Sequence, residues 1–595
     1  MDKLKKPYDP NTTEERIYKL WEESGFFNPD NLPSDSKETF SIVLPPPNAT
    51  GVLHLGHTLE DSMQDTIIRY ARMRGKKTLW LPGTDHAAIA TDSKVAKMFE
   101  KEGLHKKDIG REKFLERVDA FVADSRKTIV SQLRKMGASL DWSREAFTLD
   151  DKRNLAVRTA FKKMYDDGLI YRGNRIVNWD PKGQTVISDD EIVYEERKSK
   201  LYTFKYGQFE ISTVRPETKF GDKYVVMHPK DKRYDKWKHG DKIIVEWING
   251  PVKATVIKDE VVNMEFGTGV MTITPWHSHE DFVLAEKYKL DKEQIIDQYG
   301  KLLPVAQEFT GMKITDAREK IVEKLKKKGL LVSVDENYIN RVATAERTGG
   351  IIEPQIMLQW FVDVNKKILE RGNKSLKELM LEPVREGKIK IMPEHFEKVY
   401  FNWIENLRDW CISRQIWYGH RIPVWYHSTD AHDKQEIYCG VEAPDGSGWT
   451  QDEDTLDTWF SSGLWTFSTL GWPENTEDLK KFHPTNVINP GYEILFFWVA
   501  RMILMSQYLL GDIPFRTVYL HGILRDTKGR KFSKSLDNGV DPLEVIEQYG
   551  ADALRMSMIV GIGPGADSKF DIQKVKAYSK FGNKVWNATR FVFEN

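Results

Sequence analysis

Two histidines three residues apart, His54 and His57, close the run Pro45-Pro46-Pro47-Asn48-Ala49-Thr50-Gly51-Val52-Leu53-His54-Leu55-Gly56-His57. Far along the chain lies Lys531-Phe532-Ser533-Lys534-Ser535. Imidazoles one helical turn apart share a face. At the head of a helix they join unpaired N–H groups and a dipole that favour an anion. Gly56 removes a side chain between them, so a flat base can approach the backbone. Lys531 and Lys534 are compact cations on flexible stems, suited to following a departing polyphosphate. Donors so placed are worth most where charge grows in a transition state. The pattern implies a site that binds ATP and stabilises charge moving onto pyrophosphate. Either segment alone is a weak signal, because short motifs match by chance.

Positioning these groups takes a strand, a turn and a helix. Lys37 to Pro45 is β-rich and stops at three prolines, which cannot continue a helix or pair in a central strand. Gly51 permits a tight turn, and Leu53 to Arg74 reads as a helix. This is the opening unit of an α/β sheet, whose ligands lie at the strand carboxyl ends. Leu115, Val118, Val122, Ile129, Leu133 and Met136 mark one face of an amphipathic helix, and so do Val575, Tyr578, Val585 and Val592. Between Glu196 and Tyr338 short β-branched runs such as Lys242 to Trp247 and Val252 to Ile257 alternate with turn residues, predicting a β-rich insertion. The α/β texture returns near Arg347 and runs through Leu524. The polar stretch Arg525 to Arg530 reads as a mobile loop.

At 595 residues several domains are expected. Basic and acidic residues both number 89, so a nucleic-acid surface must be a local patch. The two cysteines, Cys411 and Cys439, exclude a disulfide framework and a four-cysteine zinc site. The start carries no apolar stretch, so the cytosol is the expected compartment. Tyr492 to Leu510 is apolar, but Glu493 and Arg501 argue for a buried helix and against a membrane span.

Long stretches then carry a resemblance. PPPNATGVLHLGH, LPGTDHAAIAT at 81–91, LDWSREAFTLD at 140–150, VNWDPKGQTVISD at 177–189, NWIENLRDWCISRQIWYGHRIPVW at 402–425, DTWFSSGLW at 457–465 and FFWVARMILM at 496–505 resemble the valyl-tRNA synthetases, a class I aminoacyl-tRNA synthetase family. Isoleucyl enzymes share both signatures but differ at Gly83-Thr84-Asp85-His86-Ala87. The resemblance implies an α/β fold: a Rossmann-like catalytic domain split by a β-rich editing insertion, with a helical stem-contact region after it. The expected divisions are 1–195 and 346–524 for the catalytic halves, 196–345 for the insertion, and 525–595 for the signature loop and stem-contact region. An anticodon-binding domain is expected to be absent.

The resemblance also implies residue roles. His54, His57, Lys531 and Lys534 are the catalytic set. Gly56, Gly491, Glu493, His521, Gly522, Ser533 and Ser535 address ATP; the family usually has Asp where this chain has Glu493. Pro46, Asn48, Asp85, Trp459, Ile494 and Trp498 hold valine, with Asn48 and Asp85 at its ammonium and the others forming an apolar slot. Such a slot cannot strongly reject threonine, and a second hydrolytic site answers that problem; this enzyme class is the standard illustration of it. Arg215, Thr218, Thr274 and Asp281 are its expected residues. Thr272 stands where the family has lysine and Ser278 where it has aspartate, so a cation and a carboxylate read as lost. Expected partners are tRNA(Val), L-valine and ATP with Mg²⁺ carried mostly by phosphates and water. No protein metal ligands, structural zinc or membrane are expected, and the chain should be a monomer. Ala345 and the lone Cys439 agree with absence of zinc, and His277 and His279 do not match usual zinc spacing.

Overall fold

The computed structural model describes residues 7–33, 38–428, 435–532 and 538–594. Their contacts form two compact units, one of Met1–Tyr171, Phe361–Ile412 and Ile416–Asn595, the other of Arg172–Trp360 with Ser413–Gln415.

The first unit is built on a five-stranded sheet. Its strands are β1 (Thr39–Val43), β2 (Lys77–Leu81), β3 (Lys390–Met392), β4 (Thr485–Ile488) and β5 (Phe515–Tyr519), in the order β3-β5-β4-β1-β2. All neighbours run parallel, with Val43 beside Leu81, Ile42 beside Val487 and Val487 beside Thr517. Ser41, Ile42 and Val43 are buried in succession, the mark of a strand covered on both faces. Ile42, Leu44, Ile68, Trp80, Ile129 and Leu133 make one core between sheet and helices. Trp80 ties the two layers, its indole N–H donating to Gln64 Oε1 at 3.0 Å.

The predicted helices form. The first runs Leu55–Met73, and the amphipathic one runs Arg111–Lys135 with Phe114, Val118, Val122, Ile129 and Leu133 buried. Ile572–Glu594 is helical, yet only Val575 of its predicted face is buried; Val585 and Val592 are 50% and 72% exposed. Periodicity predicts the helix, whereas burial depends on what packs against it. The apolar stretch from Tyr492 is a 3₁₀ turn (Tyr492–Ile494), a π-helical turn (Leu495–Ala500) and an α-helix (Arg501–Leu509). Arg501 is buried there, with its guanidinium 3.8 Å over the Trp410 ring. Among the described residues no helix is long and apolar enough to cross a membrane.

Within the first unit the backbone comes back to the point at which it broke off. Asp363 donates its N–H to the Leu169 carbonyl at 2.8 Å, and Tyr171 stacks on Phe361 with centroids 5.6 Å apart.

The second unit is β-rich. Strands Lys242–Trp247, Gly250–Lys258, Tyr224–Met227 and Val270–Thr272 pair in that order, and Leu331–Ala345, Ile192–Tyr206 and Phe209–Thr213 form a second sheet. Tyr202, Phe204, Trp247, Ile295 and Ile321 share one core.

Candidate active site

Four loops leaving the carboxyl ends of β1, β2, β4 and β5 meet at one edge of the parallel sheet. After β1 and β2, Asn48 and Asp85 form a parallel bridge; after β4 and β5, Gly491 and His521 form another. β1 and β4 are neighbours in the sheet and distant in the chain, which is the topological switch point where such sheets bind ligands.

His54 is not inside the helix, as its spacing suggests, but is the N-cap, with extended backbone at φ −125°. Its Nδ1 accepts the Gly56 N–H at 3.0 Å, while His57 Nδ1 accepts the His54 N–H at 3.2 Å. This is a reciprocal capping box made of two histidines in place of Ser and Glu. A neutral imidazole that accepts at Nδ1 carries its proton on Nε2. Both rings are thereby fixed as Nε2–H donors, with centroids 4.0 Å apart. Burial holds His57 well below the usual histidine range, with His54 and His521 adding to the effect. His54 is also lowered by its crowded surroundings, against the pull of Glu493. Gly56 has a steric reason to be glycine: a Cβ would stand 2.8 Å from His54 Cε1. Whatever room it leaves for a base, it leaves first for the His54 ring.

One turn on, Glu60 lies 3.9 Å from His521. Burial lowers the His521 pKa, but Glu60, with the Gly522 carbonyl and Glu493, outweighs it and the net shift is upward. Gly522 cannot carry a side chain, since a Cβ would stand 2.1 Å from the Ala566 carbonyl oxygen. Glu493 receives Lys531 Nζ at 3.0 Å, which joins the second signature to the Gly491 loop. Ser533, Lys534 and Ser535 lie outside the described residues. The polar stretch before them folds as a turn tied through Asp526. Asp526 accepts N–H groups of Lys528 and Arg530 at 3.0 and 2.8 Å, and Asn538 reaches it from the far side at 3.1 Å. Asp-centred turns of this kind hold their own backbone.

Asp85 is 6% exposed and surrounded by donors. Oδ1 accepts from Ala87 N–H at 2.7 Å and Thr458 at 3.1 Å, and Oδ2 from Ser462 at 2.7 Å. Burial raises its pKa, and those donors oppose the rise. The Ser462 carbonyl also receives the Trp498 indole N–H at 3.0 Å. One residue thus ties the buried carboxylate to the Trp498 indole. Trp498 is 2% exposed, and Trp459 stacks on Phe497 with centroids 5.5 Å apart. Pro46 and Ile494 are half-buried, two residues before Asn48 and at the end of the 3₁₀ turn. Ser462 and Asp526 escaped sequence reasoning as site residues. The only signal for Ser462 was its place in the stretch Asp457 to Trp465.

Behind Asp85, His86 and His420 pack edge to face at 5.1 Å. His86 Nδ1 meets Thr148 Oγ1 at 2.7 Å, and His420 Nε2 meets the Thr148 carbonyl at 2.8 Å.

In the second unit, Asp281 Oδ2 accepts the Thr274 N–H at 2.8 Å. Asp281 lies in the first turn of a helix capped by Ser278, His279–Tyr288, so the residue standing for the expected carboxylate has become the cap. Thr218 Oγ1 donates to the Arg215 carbonyl at 3.0 Å. The Arg215 fork is already paired with Glu353 at 2.6 Å and Glu217 at 3.2 Å. His277 accepts the Ile295 and Ile296 N–H groups at 3.0 and 3.2 Å, and its other nitrogen stands 3.1 Å from Glu353. His279 meets Asn178 at 2.9 Å. Among the described residues no group of three or more His, Cys, Asp or Glu is arranged to hold a metal ion.

Comparison with known proteins adds sequence and fold. The family model for tRNA synthetases class I (I, L, M and V) matches residues 16–571. A valine-tRNA ligase of Clostridium acetobutylicum is 48% identical over 606 residues, covering 100% of this chain and 67% of the relative. One from Clostridium tetani is 48% identical, covering 100% and 66%. The chain spans about two thirds of the length of these relatives. A LeuRS of Agrobacterium radiobacter, solved with tRNA and LeuAMS, has a TM-score of 0.53 at 18% identity over 96% of this chain and 75% of its own, a likeness of fold.

Proposed function

This chain belongs to the class I tRNA synthetases, and from that premise we propose that it activates L-valine with ATP and transfers it to tRNA(Val). The observation that carries the reading is the convergence, at one sheet edge, of a buried carboxylate, two histidines fixed as donors, and Lys531. Asp85 is a buried carboxylate that keeps its charge only with donors or a cation around it, and the ammonium of valine would add that cation, with Asn48 beside it. Trp498, Trp459, Pro46 and Ile494 take the isopropyl group. The valine carboxylate attacks the α-phosphorus of ATP, forming valyl-adenylate and expelling pyrophosphate. His54 and His57 donate Nε2–H to the phosphates, and Lys531 and Lys534 follow the leaving group. Glu493, Gly491, His521 and Gly522 face the adenosine, and Ser533 and Ser535 the phosphates. A tRNA hydroxyl then takes the valyl group and releases AMP. Positioning and preorganised charge do the work, with no side-chain nucleophile. Mg²⁺ would travel with the phosphates.

The second unit would hydrolyse threonyl-tRNA, with Asp281 and Thr274 at the ammonium and Arg215 and Thr218 in the facing turn. Valine-dependent pyrophosphate exchange, with threonine and isoleucine as controls, tests the first reading. Absence of valine-dependent exchange by the purified chain would overturn it.

A further inference from the structure

Lys219 is a lysine almost sealed from water, 7% exposed, in the 3₁₀ turn Pro216–Gly221 that also carries Thr218. Its Nζ donates to Thr272 Oγ1 at 3.0 Å, on the strand Val270–Thr272, and to Asp222 Oδ1 at 3.3 Å. The Thr272 hydroxyl in turn donates a hydrogen bond to Asp222 Oδ2 at 2.8 Å. Ammonium, hydroxyl and carboxylate close a ring joining the turn to the strand. Asp222 is held by its carbonyl as well, which accepts the Tyr206 hydroxyl at 2.6 Å. The Lys219 carbonyl accepts the Trp247 indole N–H at 2.7 Å.

A buried ion pair adds little net stability over apolar packing, so its presence calls for another reason. Two residues beyond Thr272, Thr274 gives its N–H to Asp281. A methyl placed on Gly221 would touch Thr274 Cγ2 at 3.5 Å, so the turn lies directly against that wall. Burial pushes both Asp222 and Asp281 upward, Asp222 to about 6, and Lys219 opposes the rise at each. Thr272, read from the sequence as a lost cation, therefore stands beside one that arrives from the opposite wall.

We propose that Lys219 is a positioning residue of this second site: through Thr272 and Asp222 its ammonium sets the spacing of the two walls and keeps Asp281 available to the ammonium of a bound aminoacyl ester. The inference rests on the reading of this unit as a hydrolytic site for misacylated tRNA.

The test measures hydrolysis of preformed threonyl-tRNA by the full chain and by Lys219→Met, Lys219→Met/Thr272→Lys and Asp281→Ala, with valine-dependent exchange as the control for the other unit. Lys219→Met should hydrolyse about tenfold more slowly, the scale of one lost charge-assisted hydrogen bond. The double variant, which returns an ammonium from the strand side, should recover most of that rate. A merely structural lysine would give no such rescue. Should Lys219→Met not fold, the double variant decides alone, a wild-type-like rate supporting the proposal and a tenfold loss overturning it. Lys219→Met at the wild-type rate, with Asp281→Ala impaired, overturns the proposal and leaves the hydrolytic reading standing. Wild-type protein that does not hydrolyse threonyl-tRNA overturns both.

Discussion

Acidification from pH 7 to pH 5 should destabilise the protein at an identifiable place, the pair His86 and His420. The residues are 0% and 1% exposed, and burial pushes both rings down to about 3. Asp85 stands 3.3 Å from His86 Nδ1 and would favour a cation. Its carboxylate is already committed to Ser462, Thr458 and the Ala87 N–H, so desolvation prevails. Each folded-state value lies below that of the unfolded chain, near 6.5. Below that pH the unfolded chain binds more protons, and stability falls as pH drops toward 3. One unit is worth about 1.36 kcal/mol, so by pH 5 each ring costs roughly 2 kcal/mol. That is a substantial part of a total stability of about 5–15 kcal/mol. Urea unfolding of wild type and His420→Phe at both pH values isolates one ring: the wild type should lose about 2 kcal/mol more than the variant. Histidine Cε1 NMR signals that vanish in His86→Gln and His420→Phe should stay unmoved between pH 7 and pH 5. A midpoint near 6.5 for either signal would refute the reasoning.

Gly56→Ala should push the His54 ring out of its reciprocal cap, because the new Cβ lies 2.8 Å from Cε1; valine-dependent exchange is expected to fall at least about tenfold, with little change in melting temperature. Ser462→Ala removes the 2.7 Å donor to Asp85 and should raise the KM for valine about tenfold while kcat moves less, an unchanged KM being the adverse result. Asp281→Ala should leave valine exchange intact while threonyl-tRNA accumulates in a charging assay; equal accumulation by wild type would remove Asp281 from the editing role.

Legibility followed the range of the forces involved. The strand before Pro45, the helix after Gly51 and the strand Lys242–Trp247 could be read directly, because prolines, turn glycines and residue periodicity act locally. The histidine cap could not, since His is no ordinary capping residue and its partner is another His. Ser462 was hidden for a different reason. Its two bonds reach Asp85 and Trp498 across a tertiary fold, and nothing in a serine announces such partners. Lys219 carries no local signal of burial, because its partner Thr272 comes from the facing strand. Val585 and Val592 show the converse, a clear periodicity whose exposure no local rule decides.

The junction at Leu169 and Asp363 carries an evolutionary consequence. An intervening segment whose flanks are one strand spacing apart can be gained, exchanged or trimmed without re-threading the sheet. A long excursion from such a junction adds only slowly growing loop-closure entropy. The parallel sheet of the first unit therefore keeps its strand order whatever the length of the chain between Leu169 and Asp363.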